Sequence, residues 1–282
     1  MPKLNKRYAD LHVHTYLSDG TFSPEKVVEI AGEKKLACIA LTDHDCIDGI
    51  RPAQKEAKKY DIEIVPGVEL TAEIEDKEVH VLGFFIEYTD SSFKKRLSEM
   101  CARRVDRALS MAGKLRKFGI ELEDKDILAS GNSVCISRLH LAQLMYKKGY
   151  VSSLGEAFRK YIGDNGPCYV SKFNLSPKDC IEMIIRIGGV PVLAHPYTLK
   201  NENFIKEFIG YGLRGLEVYH SDHSSAMSEY YKKMAEANNL LITGGSDCHG
   251  LGKGKILMGS VKVTYDLVER LKEEAGKINK NS

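Results

Sequence analysis

An α/β fold is what this sequence predicts, on three observations. Short β-branched or aliphatic runs recur along the chain, most lead into a stretch with helical punctuation, and one central region lacks strand character altogether. The runs are ACIALTD (37–43), IEIVPGVEL (62–70), EVHVLGFFI (78–86), GVPVLAH (189–195), RGLEVYH (214–220) and LLITGGSD (240–247). A helix is expected from Ser23-Pro24, because Ser caps a helix N-terminus well and Pro suits its first turn, and EKVVEIAGEKK follows. Ser176-Pro177 opens another, KDCIEMIIRIGG, which should stop at Gly188-Gly189 where a left-handed terminus is cheap. This many strand-helix repeats could close into a barrel. From about Ser91 to Tyr161 no strand is evident; SSFKKRLSEMCARRVDRALSMAGKLRKFG reads as a long amphipathic helix stopped near Gly119, with further helices around 124–130, 136–148 and 153–162. We therefore divide the chain into a barrel (1–90 and 168–282) and a helical insertion (91–167), and expect the tail KEEAGKINKNS to fray.

Composition narrows the classes. The 282 residues carry a net charge of +2, with 43% hydrophobic and 28% charged side chains. That suits one large domain with an insertion, and argues against a protein that wraps duplex DNA by bulk charge. No apolar run is long enough to span a membrane, the start MPKLNKRYADLHVHT has no apolar signal core, and no obligate protein partner is evident. Seven cysteines, odd in number and without a C-x-x-C pair, are expected to be free thiols in a reducing cytoplasm.

The informative feature is where polar residues interrupt this pattern. In Asp10-Leu11-His12-Val13-His14 two imidazoles stand at i and i+2, on one face of a strand. Asp19 follows after a short loop. His44, Glu69, His80, His195 and the pair Asp247 and His249 sit at or near the ends of other strand runs. In a parallel barrel those C-terminal ends converge on one rim. Imidazole and carboxylate donors without thiolate suit Zn²⁺, Mn²⁺ or Fe²⁺, and nine donors exceed the needs of one ion, so two or three are implied. Glu69 is the natural bridge, since both its oxygens can bind. Each residue alone has a blander reading as a cap, a turn former or a solvated histidine. Their co-occurrence carries the case: six of the nine histidines fall in the pattern.

DLHVHTYLSDG, LTDHD, PGVEL, VHVLGF, LAHP and GSDCHG, in this order, resemble the motifs of the PHP (polymerase and histidinol phosphatase) metal-dependent phosphoesterases, over Tyr8 to about Gly259. The resemblance implies a distorted seven-stranded, TIM-like (β/α)7 barrel with a trinuclear centre. It implies His12, His14, Glu69 and Asp247 on a first metal, Glu69, His80 and His195 on a second, and Asp19, His44 and His249 on a third. CISRLHLAQLM (135–145) and AFRKYIGDNGPCYVS (157–171) are similar to the insert of nucleotide-cleaving members. That similarity implies substrate contacts from Arg138, His140 and Lys160, and from Arg104 and Arg107, which would otherwise be read as a solvated helix face. In the loop EVYHSDHSS the resemblance favours the later histidine, His223, over His220 as a phosphate contact or leaving-group acid. Cys248 should point away from the ligands into packing, and Asp43 and Asp45 should orient ligands or shape the turn.

The implied function is phosphomonoester hydrolysis by a hydroxide generated at the clustered ions, with Asp19, His195 and His223 as the catalytic candidates. The substrate expected is the 3′-phosphate of a nucleoside 3′,5′-bisphosphate. The alternatives are a 5′–3′ exoribonuclease on short single-stranded RNA, a histidinol phosphatase, which generally lacks the insert, and a metal-binding module without turnover.

Overall fold

The computed structural model describes residues 6–75, 77–130, 135–171, 175–199 and 201–281. The first five residues of the expected signal-free start and the last residue of the tail lie outside them. The chain opens with β1 (Tyr8–Val13), α1 (Pro24–Glu33), β2 (Cys38–Leu41), α2 (Ile50–Ala57), β3 (Glu63–Ile74) and β4 (Lys77–Phe84). Helices follow: α3 (Ser91–Arg116), α4 (Asp124–Ser130), α5 (Arg138–Lys147), α6 (Leu154–Ala157), a π-helical turn over Phe158–Ile162, and α7 (Pro177–Arg186). The second half returns to alternation, with β5 (Val190–Leu193), α8 (Asn203–Tyr211), β6 (Gly215–His220), α9 (Ser225–Ala237), β7 (Leu241–Gly245), a two-residue β8 (Val263–Thr264) and α10 (Tyr265–Asn281).

The helix starts form as the sequence predicts. The side chain of Ser23 accepts from the Lys26 amide with Pro24 behind it, and Ser176 forms a reciprocal box with Asp179 ahead of α7. Gly119 and Gly188 adopt left-handed φ values of 73° and 72° just past α3 and α7. The strands pair in the order β7-β6-β5-β4-β3-β2-β1-β8. A parallel bridge between Val13 and Cys248 brings the two ends of that order together, so seven strands wrap into a nearly closed barrel and β8 is a short addition beside β1. The wall is not uniformly parallel: β4 runs antiparallel to both neighbours, in register Glu69 to Leu82 with β3 and Leu82 to Val192 with β5. The reason is the short β3–β4 connection, which makes a hairpin where a crossover helix would be needed for parallel pairing.

Two expectations are corrected. The tail is not frayed: α10 buries Val268, Leu271, Ala275 and Ile278 along one face against the barrel strands. Nor are all seven cysteines free. Cys101 on α3 and Cys135 ahead of α5 form a disulfide across a Cα separation of 4.9 Å, and the other five are buried thiols. Spacing in sequence cannot reveal this pair, because the fold of the insertion brings the two together. The insertion has its own core, with Met111, Leu115, Ile127, Leu141 and Met145 fully buried. Its first helix is shared, because Phe93, Leu97 and Met100 at the start of α3 belong to the same buried cluster as residues of β3, β4, α7 and α8. Among the described residues no helix is long and apolar enough to cross a membrane.

Candidate metal centre

The rim of the barrel gathers the expected ligands. His12 is the last but one residue of β1 and His14 lies just past its end, so both rings emerge on the same side, and the rings are 5.1 Å apart. His44 follows β2 and bridges in parallel register to Glu69 within β3. His80 comes from the first half of β4. The sequence predicts it near a C-terminal strand end; it reaches the rim instead because β4 runs antiparallel and presents its N-terminal half there. His195 and Asp247 follow β5 and β7 with φ values of 26° and 51°, unusual for side-chain-bearing residues and worth about 1–3 kcal/mol each of local strain. The turn they make aims both side chains across the mouth.

Glu69 stands at the middle, 1% exposed, and its two oxygens divide the histidines. Oε2 lies 3.1 Å from Nε2 of His12, 3.1 Å from Nε2 of His14 and 3.4 Å from Nδ1 of His44. Oε1 lies 2.8 Å from Nδ1 of His80 and 3.0 Å from Nε2 of His195. Oδ1 of Asp247 approaches Nε2 of His14 at 3.2 Å and Nε2 of His12 at 3.5 Å. Asp19 faces Nε2 of His249 at 3.1 Å and Nε2 of His44 at 3.7 Å. His14, Asp19, His44 and His249 make one compact donor group, and His12, His14 and Glu69 make another.

The donor set fits divalent ions. Bonds of about 2.0–2.2 Å to nitrogen and oxygen put neighbouring donors roughly 3.0–3.5 Å apart, which is the spacing found around Glu69. Several nitrogens are also orphaned: both of His14, Nδ1 of His44 and Nδ1 of His195 are buried without a hydrogen-bond partner, as is Oδ1 of Asp19. Buried polar atoms normally have one. The electrostatics agree. Burial opposes charge on Glu69, yet the His44, His12 and His80 imidazoles outweigh it and hold the carboxyl well below its usual range. Asp19, through His249 and His44, and Asp247, through Lys253 and His249, are likewise held ionised against burial. Burial also disfavours a charged His14, but the Asp247, Glu69 and Asp19 carboxylates carry its pKa up to about 9, whereas burial dominates at His44 and lowers it.

Above the ligands lies a cavity of about 540 Å³. The insertion supplies Arg104, Arg107, Arg138, Leu139, Leu154 and Phe158 to its walls, and the β5 side supplies Tyr197. Arg104 and Arg107 are buried, at 3% and 7% exposure, so the solvated-face alternative does not hold. Arg138 pairs with Glu78 and Asp164, each at 2.6 Å. His140 and Lys160 are engaged elsewhere. His140 Nδ1 accepts from the Ser137 amide and caps α5, and Lys160 is an exposed partner of Glu156 one turn back. His223 stands outside the cavity wall. Its Nδ1 pairs with the Val218 carbonyl oxygen at 2.8 Å, and its ring packs between Tyr197 and Tyr231. His220, and not the favoured His223, lines the cavity, 3% exposed and with Nε2 3.4 Å from Oδ2 of Asp247.

Supporting residues complete the centre. Asp43 accepts from the Thr15 amide, the Thr15 hydroxyl and the Ser18 hydroxyl, tying the loop that carries Asp19; Asp45 accepts from the Thr71 amide and pairs with Arg104. Cys248 turns into the apolar cluster beneath α1, as expected. Glu217 on β6 went unread in the sequence. It is fully buried, its Oε1 2.8 Å from Nδ1 of His12 and its Oε2 accepting from the His195 amide at 2.8 Å. A carboxylate in the middle of the apolar run GLEVYH was the available signal.

Known proteins share this architecture. A family model described as PHP domain matches residues 10–150. The 3′,5′-nucleoside bisphosphate phosphatase of Chromobacterium violaceum is 32% identical over 87% of this chain and 88% of its own length. A 5′-3′ exoribonuclease of Haemophilus influenzae is 31% identical over 92% of this chain and 97% of its own. A solved structure from Bifidobacterium adolescentis, described as a metal-dependent phosphoesterase, superposes with a TM-score of 0.86 at 29% identity, covering 94% of this chain and 96% of that one.

Proposed function

The chain belongs to the PHP domain family of metal-dependent phosphoesterases, and we propose that its substrate is a nucleotide phosphomonoester, the 3′-phosphate of a nucleoside 3′,5′-bisphosphate, hydrolysed with two or three ions of Mn²⁺, Zn²⁺ or Fe²⁺. One observation carries the reading: both oxygens of a buried glutamate are ringed by imidazole nitrogens directly beneath a cavity with basic and apolar walls.

His12, His14, Glu69 and Asp247 would hold one ion, Glu69, His80 and His195 a second, and Asp19, His44 and His249 a third. Such ions supply an acidified water and neutralise phosphoryl charge. The chain supplies the rest. Tyr197 on one side and Leu139, Leu154 and Phe158 on the other offer faces for a base and ribose, and about 540 Å³ is the size of a small-ligand pocket. Arg104, Arg107 and Arg138 make the wall near the second phosphate positive; Nη2 of Arg107 is buried without a hydrogen-bond partner. Asp19 and His195 face the reacting group. We assign the leaving-group proton to His220 rather than His223, because His220 lines the cavity and His223 does not. We infer a cytoplasmic enzyme, a reading that a nucleotide substrate and five free thiols support and the Cys101–Cys135 disulfide does not.

Purified protein with Mn²⁺ should release phosphate from 3′-phosphoadenosine 5′-phosphate, and His14→Ala or Asp247→Ala should reduce turnover by at least a thousandfold. Undiminished turnover in either variant would refute the site. The similarity to an exoribonuclease along nearly its whole length supports a second reading, stepwise 5′–3′ hydrolysis of short RNA. Nucleotides released from a 5′-phosphorylated oligonucleotide faster than phosphate from the bisphosphate would favour it.

A further inference from the structure

Four basic side chains line the cavity among the described residues: Arg104, Arg107, Arg138 and Lys253. The three arginines are already charge-paired, with Asp45 at 2.6 Å, Glu78 at 2.7 Å and Glu78 at 2.6 Å. None of those carboxylates is among the nine proposed metal ligands, so these three pairs stand apart from the centre. Lys253 differs. Its Nζ lies 2.5 Å from Oδ2 of Asp247, whose other oxygen, Oδ1, is the one turned toward His12 and His14. A cation held by Asp247 would draw charge out of the carboxylate and weaken its hold on the ammonium at Oδ2.

The loop that presents Lys253 is built to keep it there. Gly250 and Gly254 bracket it with left-handed φ values of 62° and 87°. The Leu251 amide donates to the hydroxyl of Thr21 at 2.8 Å, and Gln143 of the insertion donates to the Gly252 carbonyl at 3.3 Å. The loop is therefore pinned from the Asp19 side and from the roof at once, and Lys253 projects between them.

We propose that Lys253 is the phosphate-binding cation of the site, donating from Nζ to an oxygen of the phosphoryl group undergoing transfer, with Asp247 as its positioning anion. The inference rests on the phosphoesterase reading and deepens it. The ligand class is a phosphate monoester dianion, or inorganic phosphate as the product. An ammonium carries three donors. One is held by Asp247, and since Lys253 lines the cavity the other two are left for a ligand there. A charge-assisted bond of this kind to phosphate typically changes affinity by about ten- to a hundredfold.

The test is a calorimetric titration of inorganic phosphate into the Mn²⁺-loaded protein, wild type against Lys253→Met and Lys253→Arg, with manganese content measured by elemental analysis on the same samples. The expected result is phosphate binding at least tenfold weaker in Lys253→Met, largely restored in Lys253→Arg, at equal manganese content. Unchanged phosphate affinity in Lys253→Met overturns the inference. So does no phosphate binding by the wild type, or a loss of manganese in Lys253→Met that accounts for the weakening. Because the titration measures product and not turnover, a wild type that hydrolyses no nucleotide would sink the functional reading and still leave Lys253 to be decided by its own result.

Discussion

At Glu217 a single buried carboxylate serves two of the proposed metal ligands. Accepting at Oε1 from Nδ1 of His12, it fixes the tautomer that leaves Nε2 open toward Glu69 and Asp247. At Oε2 it holds the amide of His195, whose backbone sits at a positive φ. Removing it leaves two buried donors unsatisfied. Glu217→Ala should therefore weaken Mn²⁺ binding by about ten- to a hundredfold and cost about 2–4 kcal/mol of stability. Metal titration and denaturant unfolding of the same variant check both; intact metal affinity would show that His12 needs no partner. The gathering of the nine proposed ligands at one rim was legible from co-occurrence, but Glu217 was not, because a carboxylate within a strand run looks the same whether it faces solvent or a histidine. Lys253 was less legible still, reading as one more residue of a glycine-rich loop.

Elements decide how the ligands meet. At the seam between β7 and β1 the backbones approach so closely that a Cβ on Gly245 would collide with the backbone nitrogen and Cβ of His12 and lie 2.9 Å from its Cα. These are not mobile side-chain tips, so Gly245→Ala must displace β1 and carry His12 with it. The variant should lose about 2–4 kcal/mol of stability and bind less metal than wild type. Thermal unfolding and elemental analysis measure the two; a stable variant with full metal content would mean the seam yields without disturbing the site. The alternation of strand and helix, and the Ser-Pro openings of α1 and α7, were written locally and appear where expected. The antiparallel course of β4 was not. Its run has the same apolar pattern in either direction, and only pairing to β3 and β5 fixes which half of it reaches the rim.

Considered whole, the molecule places protons and metal ions in competition for the same nitrogens. In metal-free protein the pKa of His14 rises from an ordinary 6.5 to about 9. A histidine raised by folding stabilises fully below its unfolded value and loses that contribution as pH climbs through the folded value. The metal-free protein should thus lose about 3 kcal/mol from this group between pH 6.5 and 9. With Mn²⁺ the slope should reverse, because the ion gains the nitrogen as the proton leaves. Melting of chelated and loaded protein at pH 6.5 and 9 tests this; parallel slopes in the two states would contradict it.

What the sequence determined by itself was the chemistry of the donors, the α/β class and the helical break in the alternation, since residue type and local periodicity are properties of the chain. The tertiary structure alone decided which oxygen of Glu69 meets which imidazole, that His220 and not His223 enters the cavity, that Cys101 meets Cys135, and that Lys253 stands beside Asp247. Each of those facts depends on strand direction and loop path, which arise only when distant segments close the barrel and bury their shared faces.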